Sequence, residues 1–333
     1  MESVKSKQAL DVVALGDLIL NFVHGGKNEE GFDIYERQPA GATANLLSQV
    51  VRLGGTAGLI TTVGDDFHGD YLYQYAKTEG LDVTNVLKSD KVPTRMMFVH
   101  LTKDNDRYFP KFNCPRTDVE TRLEDIDMDI VKGCKALAMS LFFYVKDKPI
   151  YKASQKLVEV VREQGGLIGF DCNWRGDETP QDVKKAICDA AMASDIVKVT
   201  DAELGHYFGE SDLFKGTEKM LRENVKLVAV TLAENGCFLR SRKGYVFCPA
   251  YDVSVADTTG AGDSFMGSLL YQATREGFDI DNLNTDDLMK IAEFSSACSS
   301  YSTTHRGSMS TMGTLNDVKW IMENIPKRKS IYV

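Results

Sequence analysis

Basic charge is what this sequence most lacks. Its 333 residues hold 39 basic against 48 acidic side chains, a net charge of −9, so no cationic face for nucleic acid is advertised. An acidic chain holds an anionic ligand only with local devices: helix N-termini, a few basic side chains or a metal ion. Long hydrophobic runs are absent too: no stretch approaches membrane-spanning length, and the opening MESVKSKQALDVVALGD has no apolar leader segment. The seven cysteines (Cys114, Cys134, Cys172, Cys188, Cys237, Cys248 and Cys298) are odd in number and form no C-x-x-C pair. They read as free thiols in a reducing compartment, which makes the cytoplasm the expected location. Five dispersed histidines with no H-x-x-x-H give no zinc signature.

What is present is ordinary globular composition, 43% apolar and 26% charged, without internal repeats. Short β-rich runs recur at 11–17, 57–66, 135–141, 167–173, 195–203 and 225–236, mostly separated by helical patterns such as 71–80 and 149–166. That alternation predicts a parallel sheet with helices on both faces. Several runs end in polar clusters (Asp17, Asp65 with Asp66, Asp171, Thr200 to Glu203, Thr231), and ligands bind beyond the carboxyl ends of such strands. Residues 18–38 and 92–112 break the rhythm with hairpin-like alternation. They fit a small β flap over the cleft or, equally on pattern, extra edge strands of the main sheet. Residues 235–251 read as another hairpin turning at R-K-G, and KRKSIYV as a solvated basic tail.

The densest chemistry lies in DTTGAGDSF, 257–265. Tyr251, Val253 and Val255 alternate before it as a strand would; Phe265, Met266, Leu269, Leu270 and Ala273 follow at helical spacing. A Gly-rich turn entering a helix aims the amides of Gly260, Ala261 and Gly262 at an oxyanion, with the macrodipole in support. Asp263 has two readings from the loop alone: an N-cap, or a base beside the anion site that takes a proton from an attacking hydroxyl. A dinucleotide fingerprint fails because the position after Gly260 and Gly262 that needs glycine is Phe265. No Walker A loop and no G-x-S-x-G elbow occur anywhere.

DTTGAGDSF resembles the C-terminal signature of the ribokinase (PfkB) family of carbohydrate and nucleoside kinases. Other matches stand in family order: AGATANLLSQVVRLGG (40–55) and TTVGDDFHGDYL (61–72), FDCNWRGDETP (170–180), VKVTDAEL (197–204), VTLAENGCFL (230–239) and THRGSMS (304–310). The resemblance implies one α/β kinase domain over 1–333, a three-layer sandwich on a central, mostly parallel sheet, with a β lid from about 18–40 and 92–112. It implies ATP-dependent phosphorylation of a small sugar, nearest to fructokinases, with 2-keto-3-deoxygluconate kinases as the alternative. A non-catalytic sensor on the same fold would not need Asp263 and the Gly260–Gly262 loop.

Carried over by position, Asp263 becomes the catalytic base and Gly260, Ala261 and Gly262 the anion hole. Asn21, Gly41, Asn45, Arg107 and Arg175 fall at sugar-side positions, and Lys198, Thr231, Gly236, Ser296 and Gly307 at nucleotide-side ones. Glu203 corresponds to the glutamate that reaches Mg2+ through water; on its own it reads as an exposed helix-start residue. Asp257 and Thr259 correspond to the start of a monovalent-cation (K+) loop, or form a turn-stabilising Asx arrangement. A homodimer through the lid is the implied assembly. The chain departs from the family pattern at Asn21, where an aspartate is usual, at Ala40 and Ala233, which stand for glycines, and at Thr200, which stands for an asparagine.

Overall fold

A computed structural model describes residues 9–101, 107–110, 112–140, 146–173, 180–329 and 332. Strand β1 (Val12–Leu15) leads into β2 (Ile19–Lys27) and β3 (Asp33–Ala40), then α1 (Ala42–Arg52), β4 (Ala57–Gly64), α2 (Phe67–Thr78), β5 (Val86–Ser89), β6 (Met96–Leu101) and β7 (Arg107–Tyr108). The alternating middle follows: β8 (Ala136–Met139), α3 (Pro149–Glu163), β9 (Leu167–Asp171), α4 (Gln181–Met192), β10 (Ile196–Thr200), α5 (Asp201–Phe208), α6 (Leu213–Leu221) and β11 (Leu227–Thr231). The chain closes with β12 (Cys237–Ser241), β13 (Tyr245–Cys248), α7 (Ala261–Ala273), α8 (Thr285–Ser302) and α9 (Leu315–Asn324).

The main sheet runs β13-β12-β11-β10-β9-β8-β1-β4-β5, parallel from β11 to β5 and antiparallel only at the β12–β13 edge. Strands β1, β4 and β8 are buried at every position, as strands covered on both faces must be. On one face Val12, Ala14, Ala138 and Ile196 pack against Leu47, Met266, Leu270 and Leu288 of α1, α7 and α8. On the other, Val13, Phe170, Val197 and Val199 pack against Leu157, Ile187, Leu204 and Met220 of α3 to α6. The six expected parallel strands all form.

The two segments that broke the rhythm make a separate four-stranded sheet, β3-β2-β6-β7, so the flap reading holds and the edge-strand reading does not. Strand β2 pairs antiparallel with β3 and parallel with β6. The lid strands β2 and β3 are inserted between β1 and α1, so they rise from the carboxyl end of the main sheet. The turn-rich KDND of the second segment, residues 103–106, lies outside the described residues.

One expectation fails. Residues 251–256 are not a strand: Tyr251 makes an isolated bridge with Lys327, and the segment after it forms no ladder. The Val253 amide turns back onto the Tyr251 carbonyl, and Asp252 N–H goes to Pro326 and Ala256 N–H to Thr303. Alternation there reflects burial of Tyr251 against α8 and α9, not pairing in a sheet.

Candidate active site

Helix α7 opens on Gly260, whose φ of 81° is left-handed and which has no side chain to cap with. Asp263 is therefore not the N-cap; it is the third residue of the helix. The turn before it is fixed by Asp257, whose Oδ1 accepts from the Thr259 amide at 2.8 Å and hydroxyl at 2.6 Å, and whose Oδ2 accepts from the Gly307 amide at 3.1 Å. This is the Asx arrangement. The Ala261 amide closes a turn onto the Thr258 carbonyl at 3.3 Å, leaving Gly262 nearest the mouth of the helix.

Asp263 is buried and held from two sides. Asn45 Nδ2 donates to Oδ2 at 2.8 Å and Asn173 Nδ2 donates to Oδ1 at 3.3 Å. Both contacts depend on backbone features. A Cβ on Gly267 would stand 2.4 Å from the Leu46 carbonyl oxygen, so α7 packs backbone against α1 there and Asn45 reaches across. Asn173 has a φ of 36°, a left-handed conformation uncommon outside glycine that clusters at functional sites.

A cleft of about 780 Å³ opens beside this turn, within the usual range for a small-molecule site. It is lined by Thr258 and Gly260 to Asp263, by Lys198, Thr200 and Glu203 at the end of β10, by Thr231, Ala233 and Gly236 after β11, and by Ser296, Ser299 and Ser300 of α8. Of the nucleotide-side expectations, Lys198, Thr231, Gly236 and Ser296 line the cleft. Gly307 does not; its amide is tied to Asp257, and Gln38 of the lid lies beside it. Ala233 takes a φ of 50°, the conformation that the usual glycine would adopt without strain.

Four charged groups gather below the turn. Lys198 Nζ donates to Asp171 Oδ1 at 2.9 Å, and both residues are 3% exposed. Burial pushes the Asp171 carboxyl up to about 7, with Glu203 and Asp263 adding to the rise and Lys198 opposing it. Burial works against the Lys198 charge, but Asp171, Glu203 and Asp263 outweigh it and hold the ammonium above its ordinary range. Glu203 is buried, contrary to its sequence-based reading as exposed. It forms a capping box at α5: Thr200 Oγ1 accepts from the Glu203 amide at 3.1 Å, and Glu203 Oε2 accepts from the Thr200 amide at 2.8 Å.

On the lid side, Gly41 caps α1 at a φ of 126°, where a Cβ would meet the Asp17 carbonyl oxygen at 2.4 Å. Asn21, on β2, and Asn45 are buried, and among the described residues neither Oδ1 has a hydrogen-bond partner. The same is true of the Thr43 and Ser140 hydroxyls, which line a recess between the start of α1 and the end of β8 that Asp171 also borders. Sequence reasoning missed Thr43 and Ser140; only burial without a partner marks them. From sequence Asp171 is expected only as one of the polar strand ends near the ligand, and Asn173 has no expected role. Arg107 lies on β7 with its side chain outside the described residues, as is all of Arg175.

A family model described as pfkB family carbohydrate kinase matches residues 11–315. Fructokinase-2 of Solanum habrochaites is 29% identical over 322 residues, covering 94% of this chain and 96% of that protein. A solved fructokinase from Xylella fastidiosa with bound ATP superposes with a TM-score of 0.81 at 20% identity, over 94% of this chain and 98% of that one. A fructokinase double mutant from Vibrio cholerae, in its fructose, ADP and potassium ion bound form, superposes with a TM-score of 0.80 at 23% identity, over 94% and 99% of the two chains. At those identities the two structures establish a shared fold.

Proposed function

The chain belongs to the pfkB family of carbohydrate kinases and is a sugar kinase, and from that premise we propose that it transfers the γ-phosphoryl group of ATP to a hydroxyl of fructose, with Asp263 as the base. One observation carries the site assignment: the Asp263 carboxylate stands one residue beyond the Gly260–Gly262 turn, gripped by two amides, at the mouth of a nucleotide-sized cleft. The acceptor oxygen bonds to the γ-phosphorus as the bond to the β–γ bridging oxygen breaks. The electron pair leaves with ADP and the hydroxyl proton passes to Asp263. A carboxylate stabilised by two donors at a positive helix end is a weak base, which suits a loose transition state in which that proton leaves late. Charge on the moving phosphoryl meets the amides of Gly260 and Gly262 and the dipole of α7; the Ala261 amide, also expected in the anion hole, is turned onto the Thr258 carbonyl at 3.3 Å.

Lys198, Thr231, Gly236 and Ser296 face the nucleotide. Mg2+ accompanies this chemistry. Among the described residues no group of three or more His, Cys, Asp and Glu forms a ready cage. That suits an ion held by phosphate oxygens, water and one or two carboxylates. Glu203, within electrostatic reach of Asp171, is the side chain that would face it through water. Bound there, the ion neutralises charge on the phosphate oxygens. A K+ ion at the Asp257–Thr259 loop is the remaining cation of the proposal; equal turnover in potassium and tetramethylammonium salts removes it.

For the sugar, Asn21 Oδ1 and Asn45 Oδ1 offer acceptors and Thr43 and Ser140 offer hydroxyls, a set matched to a neutral polyol. The names of the fructokinase relatives support fructose within that class. Arg107 and Arg175 are assigned to the sugar side, where an acid substrate would engage both. ADP release measured with ATP, Mg2+ and a panel of sugars including 2-keto-3-deoxygluconate tests the reading. Fructose is expected to give the highest kcat/KM; no ADP release with any member from folded, ATP-binding protein contradicts it. The lid presents Phe32 and Ile34, which are 71% and 45% exposed, as a homodimer face. Sedimentation equilibrium is expected to show a dimer, and a monomer at micromolar concentration removes that part.

A further inference from the structure

The buried Asp171–Lys198 pair has a use that follows from its place in the sheet. Strand β10 alternates: Val197 and Val199 enter the core under α3 to α6, while Ile196 points the other way, into the core under α1 and α7. Lys198 shares the parity of Ile196, and so occupies a position that packing alone would give to an aliphatic side chain. An isolated ammonium there would carry a large desolvation cost. Asp171 offsets it from the neighbouring strand: the two residues are register partners across β9 and β10, so their side chains leave the sheet side by side.

A buried ion pair is seldom better for stability than two well-packed apolar residues, so its placement calls for a reason beyond stability. Position supplies one. A Cβ added to Gly262 would stand 2.9 Å from Lys198 Nζ. The ammonium therefore lies against the backbone of the anion-binding turn and lines the cleft. Of its three N–H donors, Asp171 takes one.

We propose that Lys198 is a catalytic residue, the cationic floor of the anion hole that touches the phosphoryl group during transfer, and that Asp171 is its positioning residue. This goes beyond nucleotide binding: Lys198 gains most when the γ-phosphoryl is leaving ADP, and Asp171 keeps the ammonium from swinging toward Glu203 or Asp263. The inference rests on the kinase reading above.

The test compares ADP with ADP plus aluminium fluoride, a mimic of the transferring phosphoryl, by calorimetric titration in Mg2+ and the best sugar of the panel. Lys198→Met is expected to lose on the order of 10²–10³-fold of the extra affinity for the fluoride complex, and a similar factor in kcat. Affinity for ADP alone should fall far less, by no more than about tenfold. Lys198→Arg should recover part of the loss, and Asp171→Asn should lose roughly tenfold of the same advantage. An advantage unchanged within threefold in Lys198→Met overturns the proposal. So does an equal loss for ADP and its fluoride complex, which marks a nucleotide contact only. Should Lys198→Met not fold, Asp171→Asn decides by the same readout. If the unaltered protein releases no ADP with any sugar, the kinase reading has failed; if it is active and Lys198→Met matches it, only the present inference has.

Discussion

The cleft beside Asp263 and the buried polar groups proposed to meet the sugar are prepared in different ways. At the phosphoryl end the polar groups are already engaged: Asp263 with two asparagines, Lys198 with Asp171, Glu203 with Thr200, and Asp257 with three donors. On the proposed sugar side Asn21 Oδ1, Asn45 Oδ1, Thr43 Oγ1 and Ser140 Oγ are buried without partners among the described residues. Buried polar groups are nearly always satisfied, so those four atoms are candidates for bonds to a ligand or to water. In the proposed site the phosphoryl side is preorganised by the chain and the sugar side is left for its ligand to complete. Asn45 belongs to both, with Nδ2 on Asp263 and Oδ1 without a partner among the described residues.

The contrast can be broken first at the seam that joins the two ends. Gly267→Ala places a methyl 2.4 Å from the Leu46 carbonyl and forces α1 off α7. A stability loss of about 1–3 kcal/mol in urea unfolding is expected, together with lower turnover as Asn45 withdraws from Asp263. At the phosphoryl end, Asp171 ties stability to pH. Its carboxyl is raised from 3.8 to about 7, so the folded protein holds that proton across a window in which the unfolded chain has shed it. Stability from this group falls as pH rises from about 4 to about 7 and is level above. Urea midpoints of wild type relative to Asp171→Asn should fall across that window; a flat difference contradicts the assignment.

On the proposed sugar side, Thr43→Val and Ser140→Ala remove hydroxyls with no partner among the described residues. Each should raise the sugar KM about five- to tenfold, the worth of one hydrogen bond, with the ATP KM unchanged. Melting temperature without sugar should stay the same or rise, whereas a fall would mean the hydroxyls serve the fold. The smallest effect belongs to Ala233→Gly, which relieves a left-handed alanine and should stabilise by up to about 1 kcal/mol.

The same division governs what could be read in advance. The parallel strands, the lid and the Gly260–Asp263 turn follow from local pattern: apolar runs, period-two alternation, and glycines at a helix start. On the loop alone Asp263 reads equally as cap or base, and only the family resemblance favours the base, because Gly260 capping the helix and the reach of Asn45 and Asn173 from 218 and 90 residues away are tertiary facts. No local signal carries that. Segment 251–256 misled because its apolar residues alternate in sequence as a strand's do, although only Tyr251 is buried and Val255 is exposed. Glu203 was expected exposed because a capping box and tertiary cover look alike in sequence with a solvated helix start. Thr43 and Ser140 were invisible, since an unpartnered hydroxyl is defined by its surroundings alone.

The most direct test of the account is sugar-dependent ADP release by Asp263→Asn, with ATP affinity measured on the same preparation. The substitution keeps the shape of the side chain and removes its basicity. A fall in kcat of about 10²–10⁴-fold with ATP affinity within threefold is predicted. Turnover within a few-fold of wild type would mean that Asp263 only helps to order the start of α7, and the base would have to be sought elsewhere in the cleft.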